Sequence, residues 1–163
     1  MQVAPFPLRV TLHSNRHLGG VVEVGVINWA AVLVAALVNF IAGFIWFSPI
    51  GFYPAWWRAI GRDPSQEPGQ NQSMGAVFGM VIVAVFVQAI LLALIVGLLK
   101  TATGDDLSLT SGLTIGAIVG LIGAAASLGH RLFSNQGLKV WIIEVASDVL
   151  NIALMGVVFS FFY

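Results

Sequence analysis

Four long apolar runs separated by polar links dominate the pattern of hydrophobic and polar positions along the chain. The first, INWAAVLVAALVNFIAGFIWF at residues 27–47, is interrupted by Asn28 and Asn39 and meets Pro49 directly afterwards. A proline there stops a helix, because it pushes the preceding residue out of the α region. The second run, 75–99, holds one strongly polar residue, Gln88, and closes at Lys100; the third, 109–128, is rich in glycine and alanine; the fourth, 140–163, carries Glu144 and Asp148. Each is long enough, at about 1.5 Å per residue, to cross a hydrocarbon core of about 30 Å.

The links refine this layout. Residues 50–74 open on IGFYPAWWRAIGRD, where Trp56 and Trp57 stand beside Arg58 and Arg62. That mixture suits the headgroup region and predicts a short interfacial helix; Trp46 and Trp141 are the corresponding anchors at the ends of the first and fourth runs. Residues 1–26 show no sustained period and read as an irregular or weakly β-like tail. The first run is too long for the apolar region of a signal peptide and no small-residue cleavage site follows it. The expected fold is therefore an all-α membrane protein, with a tail at 1–26 and a single domain at 27–163. Within that domain, short links predict a compact antiparallel bundle of four transmembrane helices, consecutive helices lying side by side.

Composition agrees and removes several classes of function. Of 163 residues, 58% are hydrophobic and 9% charged, against about a quarter charged in a soluble domain, and the mean hydropathy is +0.95. A soluble core of this size could not hide so much apolar surface, so the lipid bilayer is the first partner expected. Seven basic and seven acidic residues cancel without forming the basic patch that a nucleic acid would need. With no cysteine, thiolate metal sites and cysteine nucleophiles are excluded, and no phosphate loop, HExxH or GxSxG motif is present. No enzyme activity, metal or cofactor is expected; the His13 and His17 pair has no further ligand near it in sequence. Lys and Arg near the helix ends are more numerous in the loops at 50–74 and 129–139, with Arg58, Arg62, Arg131 and Lys139, than on the opposite side, with Arg16 and Lys100. In a cell (inner) membrane this bias places both loops in the cytoplasm and the termini outside.

Two sets of residues within the runs stand out. Gly112, Gly116 and Gly120 repeat at intervals of four, as do Gly75 and Gly79, and residues so spaced form flat strips for close helix packing. Such strips either join helices of one chain or face a partner. In the fourth run Glu144, Ser147, Asp148 and Asn151 share one helical face, and Asp148 lies about 15 Å along the axis from Leu138, near the bilayer midplane. A carboxylate at that depth must pair or take up a proton. One reading is a proton-accepting or cation-coordinating face completed by Gln88 and Asn39. The other is a structural network in which Arg131 or Lys139 bends back to neutralise Glu144. Asn28 and Asn39, eleven positions apart, are expected to share a face of the first helix as interhelical hydrogen-bonding groups.

The first run with its ending resembles a family of small bacterial integral membrane proteins catalogued as a domain of unknown function. The likeness rests on Asn28, Trp29, Asn39, Gly43, Trp46, Phe47, Ser48, Pro49 and Trp57, with Leu154, Met155 and Gly156 similar to the closing helix. It implies four spans over residues 27–163 and no particular activity. Two functions stay open at this point. The first is an accessory or scaffolding subunit that packs against a larger membrane complex or forms a homo-oligomer. The alternative is a small proton-coupled transporter or channel that uses the acidic face of the fourth helix.

Overall fold

The computed structural model describes residues 27–63, 65–66 and 73–163, and the tail expected at 1–26 lies outside them. Five helices account for most of it: α1 (Trp29–Trp46), α2 (Tyr53–Ala59), α3 (Met74–Thr103), α4 (Leu109–Phe133) and α5 (Gly137–Phe159). Four of them, α1, α3, α4 and α5, are long and apolar enough to cross a membrane, and the chain is read as a multi-pass membrane protein.

Local chemistry sets the helix ends. Asn28 accepts a hydrogen bond from the Ala31 N–H at 3.1 Å and caps α1, satisfying a donor that the first turn leaves without a partner. Its own N–H donates to the Tyr163 hydroxyl at 3.0 Å. Asn28 thus works at the helix mouth and does not share an interior role with Asn39, because capping draws its side chain back onto its own backbone. At the other end the chain reverses through Ser48 and Pro49, and the Phe52 N–H donates to the Trp46 carbonyl at 2.7 Å. A Cβ at Gly51 would run into the carbonyls of Ile45 and Trp46, so only glycine fits this turn. The short helix expected after it forms as α2, with Pro54 in its first turn where the missing N–H costs nothing. Ser73 and Ser108 cap α3 and α4, and Gly104, at φ 75°, ends α3 in the left-handed conformation.

Packing follows side-chain size. Gly112, Gly116, Gly120 and Ala124 are the buried residues of α4, and all of them belong to the one strip that meets α5. A Cβ on Gly112 would strike the carbonyl of Gly156, and one on Gly156 the carbonyl of Gly112. At Gly116 the obstacles are the Ile152 carbonyl and Ala153 Cα, the latter 2.7 Å away; at Gly120 it is Val149 Cα at 2.8 Å. The strip therefore joins two helices of one chain in backbone contact, where dispersion replaces the absent hydrophobic drive. Trp141 closes the far end of this pair by donating from Nε1 to the Ala124 carbonyl and the Ser127 hydroxyl.

On its other side α5 meets α1, in opposite directions: Asn39 lies against Met155, and Trp46 donates to the Ile143 carbonyl at 3.2 Å. Helix α3 packs on α1 through an alanine-rich seam, Ala31, Val32, Ala35 and Ala36 against Ala89, Leu92, Ala93 and Val96, with Met155 and Phe159 of α5 filling its base. Helix α4, by contrast, makes extensive contact only with α5. The side-by-side order expected of consecutive helices thus fails between α3 and α4. The Gly112–Gly120 strip needs a surface of matching small residues, and α5 supplies one with Ala153 and Gly156, whereas the buried seam of α3 is already taken by α1.

Candidate functional site

The polar face of α5 divides among three surroundings. Glu144, nearest the helix start, accepts from Trp56 Nε1 at 2.9 Å through one oxygen, and its other oxygen lies 2.9 Å from Arg131 Nε. Ser147 and Asn151 turn inward and are buried, with Asn151 Nδ2 donating to Ser147 Oγ at 3.4 Å and facing the bare Cα of Gly43. Asp148 lies between these positions in sequence, yet its side chain is exposed. Gln88 is exposed on α3, whereas Asn39 is buried and donates to Met155 Sδ at 3.0 Å. The residues read from the sequence as one face are therefore not gathered into one chamber.

Two cavities at the ends of the long helices are better defined. The larger, about 750 Å³, lies where α2, the end of α4 and the start of α5 converge; Trp56, Arg62, Arg131, Asn135, Gln136 and Glu144 are among its walls. The smaller, about 160 Å³, lies at the opposite end beside Lys100, Asp105 and Asp106. Its ion pair, Lys100 with Asp106 at 3.0 Å, is solvent-exposed and contributes little to stability. Neither cavity is lined by Asp148, Gln88, Asn39 or Asn151. Among the described residues no group of three His, Asp or Glu side chains is placed to hold a metal ion.

The larger cavity owes its shape to aromatic packing. Trp46 and Phe52 stack with centroids 4.3 Å apart, and Tyr53 stacks on Trp57 at 5.5 Å, which fixes α2 across the end of α1. Trp57 is buried and donates to the Asp63 carbonyl at 2.9 Å, holding the segment that carries Arg62. Arg131 is held in turn by Gln136, whose Oε1 accepts from Nη1 at 2.6 Å. The sequence offered Arg131 as a partner for Glu144. The contribution of Trp56 had no signal beyond its aromatic setting, and Asn135 and Gln136 had none.

Asp63 beside this cavity is held below the usual carboxylate range by the Ser65 hydroxyl and then the Ser65 N–H, both of which donate to it. Because the folded value is depressed, the turn's contribution is present above the unfolded value and is lost as pH falls through the folded one. An NMR titration of the Asp63 carboxyl is expected to show a midpoint below that of a free aspartate, and Ser65→Ala is expected to return it toward normal. An unshifted midpoint in the unsubstituted protein would remove the turn from this account.

No curated protein and no solved structure matches the chain. A family model does match, over residues 30–160, from the first turn of α1 to the end of α5. The match takes in all four long apolar helices and the short α2, and with it the chain belongs to the family described as Protein of unknown function (DUF1761).

Proposed function

We propose that the protein is an assembly component of the membrane, an accessory or scaffolding subunit that works by packing laterally against other membrane-embedded helices and not by catalysis. The observation that carries this reading is the exposure of Asp148 on α5 at a depth of about 16 Å from Gly137, near the middle of a hydrocarbon core. A carboxylate facing lipid there costs about 3 kcal/mol or more, and a neighbouring helix with a donor would remove that cost. Gln88 is exposed on α3 and poses the same demand. The first eleven residues of α3, Met74–Ala84, include no buried one, and Gly79 has nothing within 4 Å of where its Cβ would be. This outward strip is free to accept a second helix at close range, unlike the α4 strip that α5 already occupies.

The absence of cysteine makes the test clean. Single cysteines at Gly79 and Leu91 are expected to crosslink in native membranes, and the unsubstituted protein is expected to migrate after mild extraction as a complex larger than its 17.3 kDa chain. A lone monomer in mild detergent and in nanodiscs, with no crosslink at either position, would refute the proposal. A proton-coupled conduit is the second reading that the same carboxylate favours, formed where Asp148 faces its counterpart or another hydrated surface in the assembly. It predicts a proton or solute flux in vesicles that Asp148→Asn abolishes, which a purely scaffolding role does not.

A further inference from the structure

The cavity of about 750 Å³ between α2, α4 and α5 lies within the range of about 300–1,000 Å³ typical of small-molecule sites, and its charges do not cancel. Arg131 is spent on Glu144 and Gln136. Arg62 makes no ion pair among the described residues, and the nearest acid in sequence, Asp63, turns its carboxylate to Ser65 instead. Among the described residues, one guanidinium is thus left without a paired acid at the cavity wall.

The start of α5 adds to the same sign. Gln136, at its N-cap, uses its side-chain oxygen on Arg131, and no side chain caps the helix. The first turn holds no acidic residue and does hold Lys139. A cation there is the reverse of what the helix dipole favours, and the free N–H groups of the first turn and Lys139 together leave the end strongly positive. An anion seated against the turn would satisfy both, as phosphates do at other helix N-termini. The turn that leads into it, with Asn135 at φ 57° and Gly137 at φ 77°, brings the Asn135 side chain to the cavity as a further polar wall.

We propose that this cavity binds a phosphate-bearing anion at the membrane surface, with Arg62 as the direct partner, Arg131 and the α5 N-cap residue Gln136 as a preset wall, and the positive end of α5 adding its field from beyond that wall. Arginine suits this task because its planar fork matches phosphate oxygens two at a time. Holding Arg131 in place through Glu144 lowers the ordering cost that binding would otherwise carry. The position at the headgroup level, framed by Trp56, makes the phosphodiester of an anionic lipid one source of that chemistry and free phosphate the other.

The experiment uses the full chain in detergent, with native mass spectrometry of phosphatidylglycerol and phosphatidylcholine adducts and inorganic phosphate as competitor. A saturable preference for phosphatidylglycerol over phosphatidylcholine that survives millimolar phosphate supports the site with a lipid as occupant. Strong competition by phosphate supports it with a free anion as occupant. In either case Arg62→Gln is expected to weaken binding roughly tenfold, the loss of one charge-assisted hydrogen bond, and Lys139→Gln to weaken it by a smaller factor. Equal binding of the two lipids without competition by phosphate overturns the proposal, and so does binding that neither substitution changes in proteins of unaltered circular dichroism.

Discussion

Replacing Gly116 with leucine is expected to detach α4 from α5 and to cost the protein about 3 kcal/mol or more, the upper end of what overpacking usually costs. The reason is the nature of the obstacle. At this position a Cβ meets the Ile152 carbonyl and Ala153 Cα, which are backbone atoms and cannot rotate away as the tip of a flexible side chain can. Relief requires the two helices to separate, and α4 has no second neighbour of comparable extent to hold it. The measurement is unfolding in rising sodium dodecyl sulfate, followed by the fluorescence of tryptophans including Trp141, whose indole N–H bonds to α4. Gly123→Leu supplies the control, since nothing lies within 4 Å of that position, and it is expected to leave the midpoint within about 0.5 kcal/mol of the parent. Equal behaviour of the two variants would show that α4 is not held by its glycine strip. Gly79→Leu gives a further contrast: it too meets open space, so it is expected to spare the fold of the chain while weakening the assembly proposed to form on α3.

The second large effect is expected at Glu144. Its side chain is 17% exposed and that of Arg131 39%, so the pair sits between a surface ion pair, contributing about 0–1 kcal/mol, and a buried one whose breakage costs about 3–5 kcal/mol. Glu144→Ala removes the ion pair and leaves Trp56 Nε1 without its acceptor, and the expected loss is about 2 kcal/mol. Glu144→Gln retains an oxygen for Trp56 and loses only the charge, so its cost is expected to be about half as large. Because Trp56 ties α2 to α5, the alanine variant is also expected to loosen α2 and redden its tryptophan emission, whereas the glutamine variant keeps the parent spectrum. Loss of stability without any spectral change would assign the effect to Arg131 alone.

Much of the local structure was legible in order along the chain. The apolar runs marked α1, α3, α4 and α5 to within a few residues at most ends, Pro49 marked the end of α1, and the aromatic stretch after it marked α2. Glu144 and Asp148 illustrate the boundary of what such reading reaches. They are four residues apart and on one face by helical geometry, yet Glu144 is tied to Trp56 and Arg131 while Asp148 stands exposed. The difference comes from α2 and the end of α4, which bring Trp56 and Arg131 to Glu144 and no hydrogen-bonding partner to Asp148 among the described residues. Gln88 and Asn39 divide in the same way, one outside and one against Met155.

The physical reason separates what the sequence determined by itself from what only the tertiary structure decided. In a hydrocarbon core each backbone N–H and C=O must be satisfied within its own segment, so a long apolar run becomes a helix whatever surrounds it, and its caps and breakers are local. Which side of that helix faces inward is a different matter. In water an apolar stripe announces the buried face, but lipid is as apolar as a helix neighbour, and Leu113, Ile118 and Leu121 of α4 can face it without penalty while Gly112, Gly116 and Gly120 turn to α5. That rotation depends on Ala153 and Gly156, more than thirty positions away, and with it the tertiary structure settled that α4 lies against α5, that Arg131 meets Glu144, and that a cavity lined by Arg62 opens beside them.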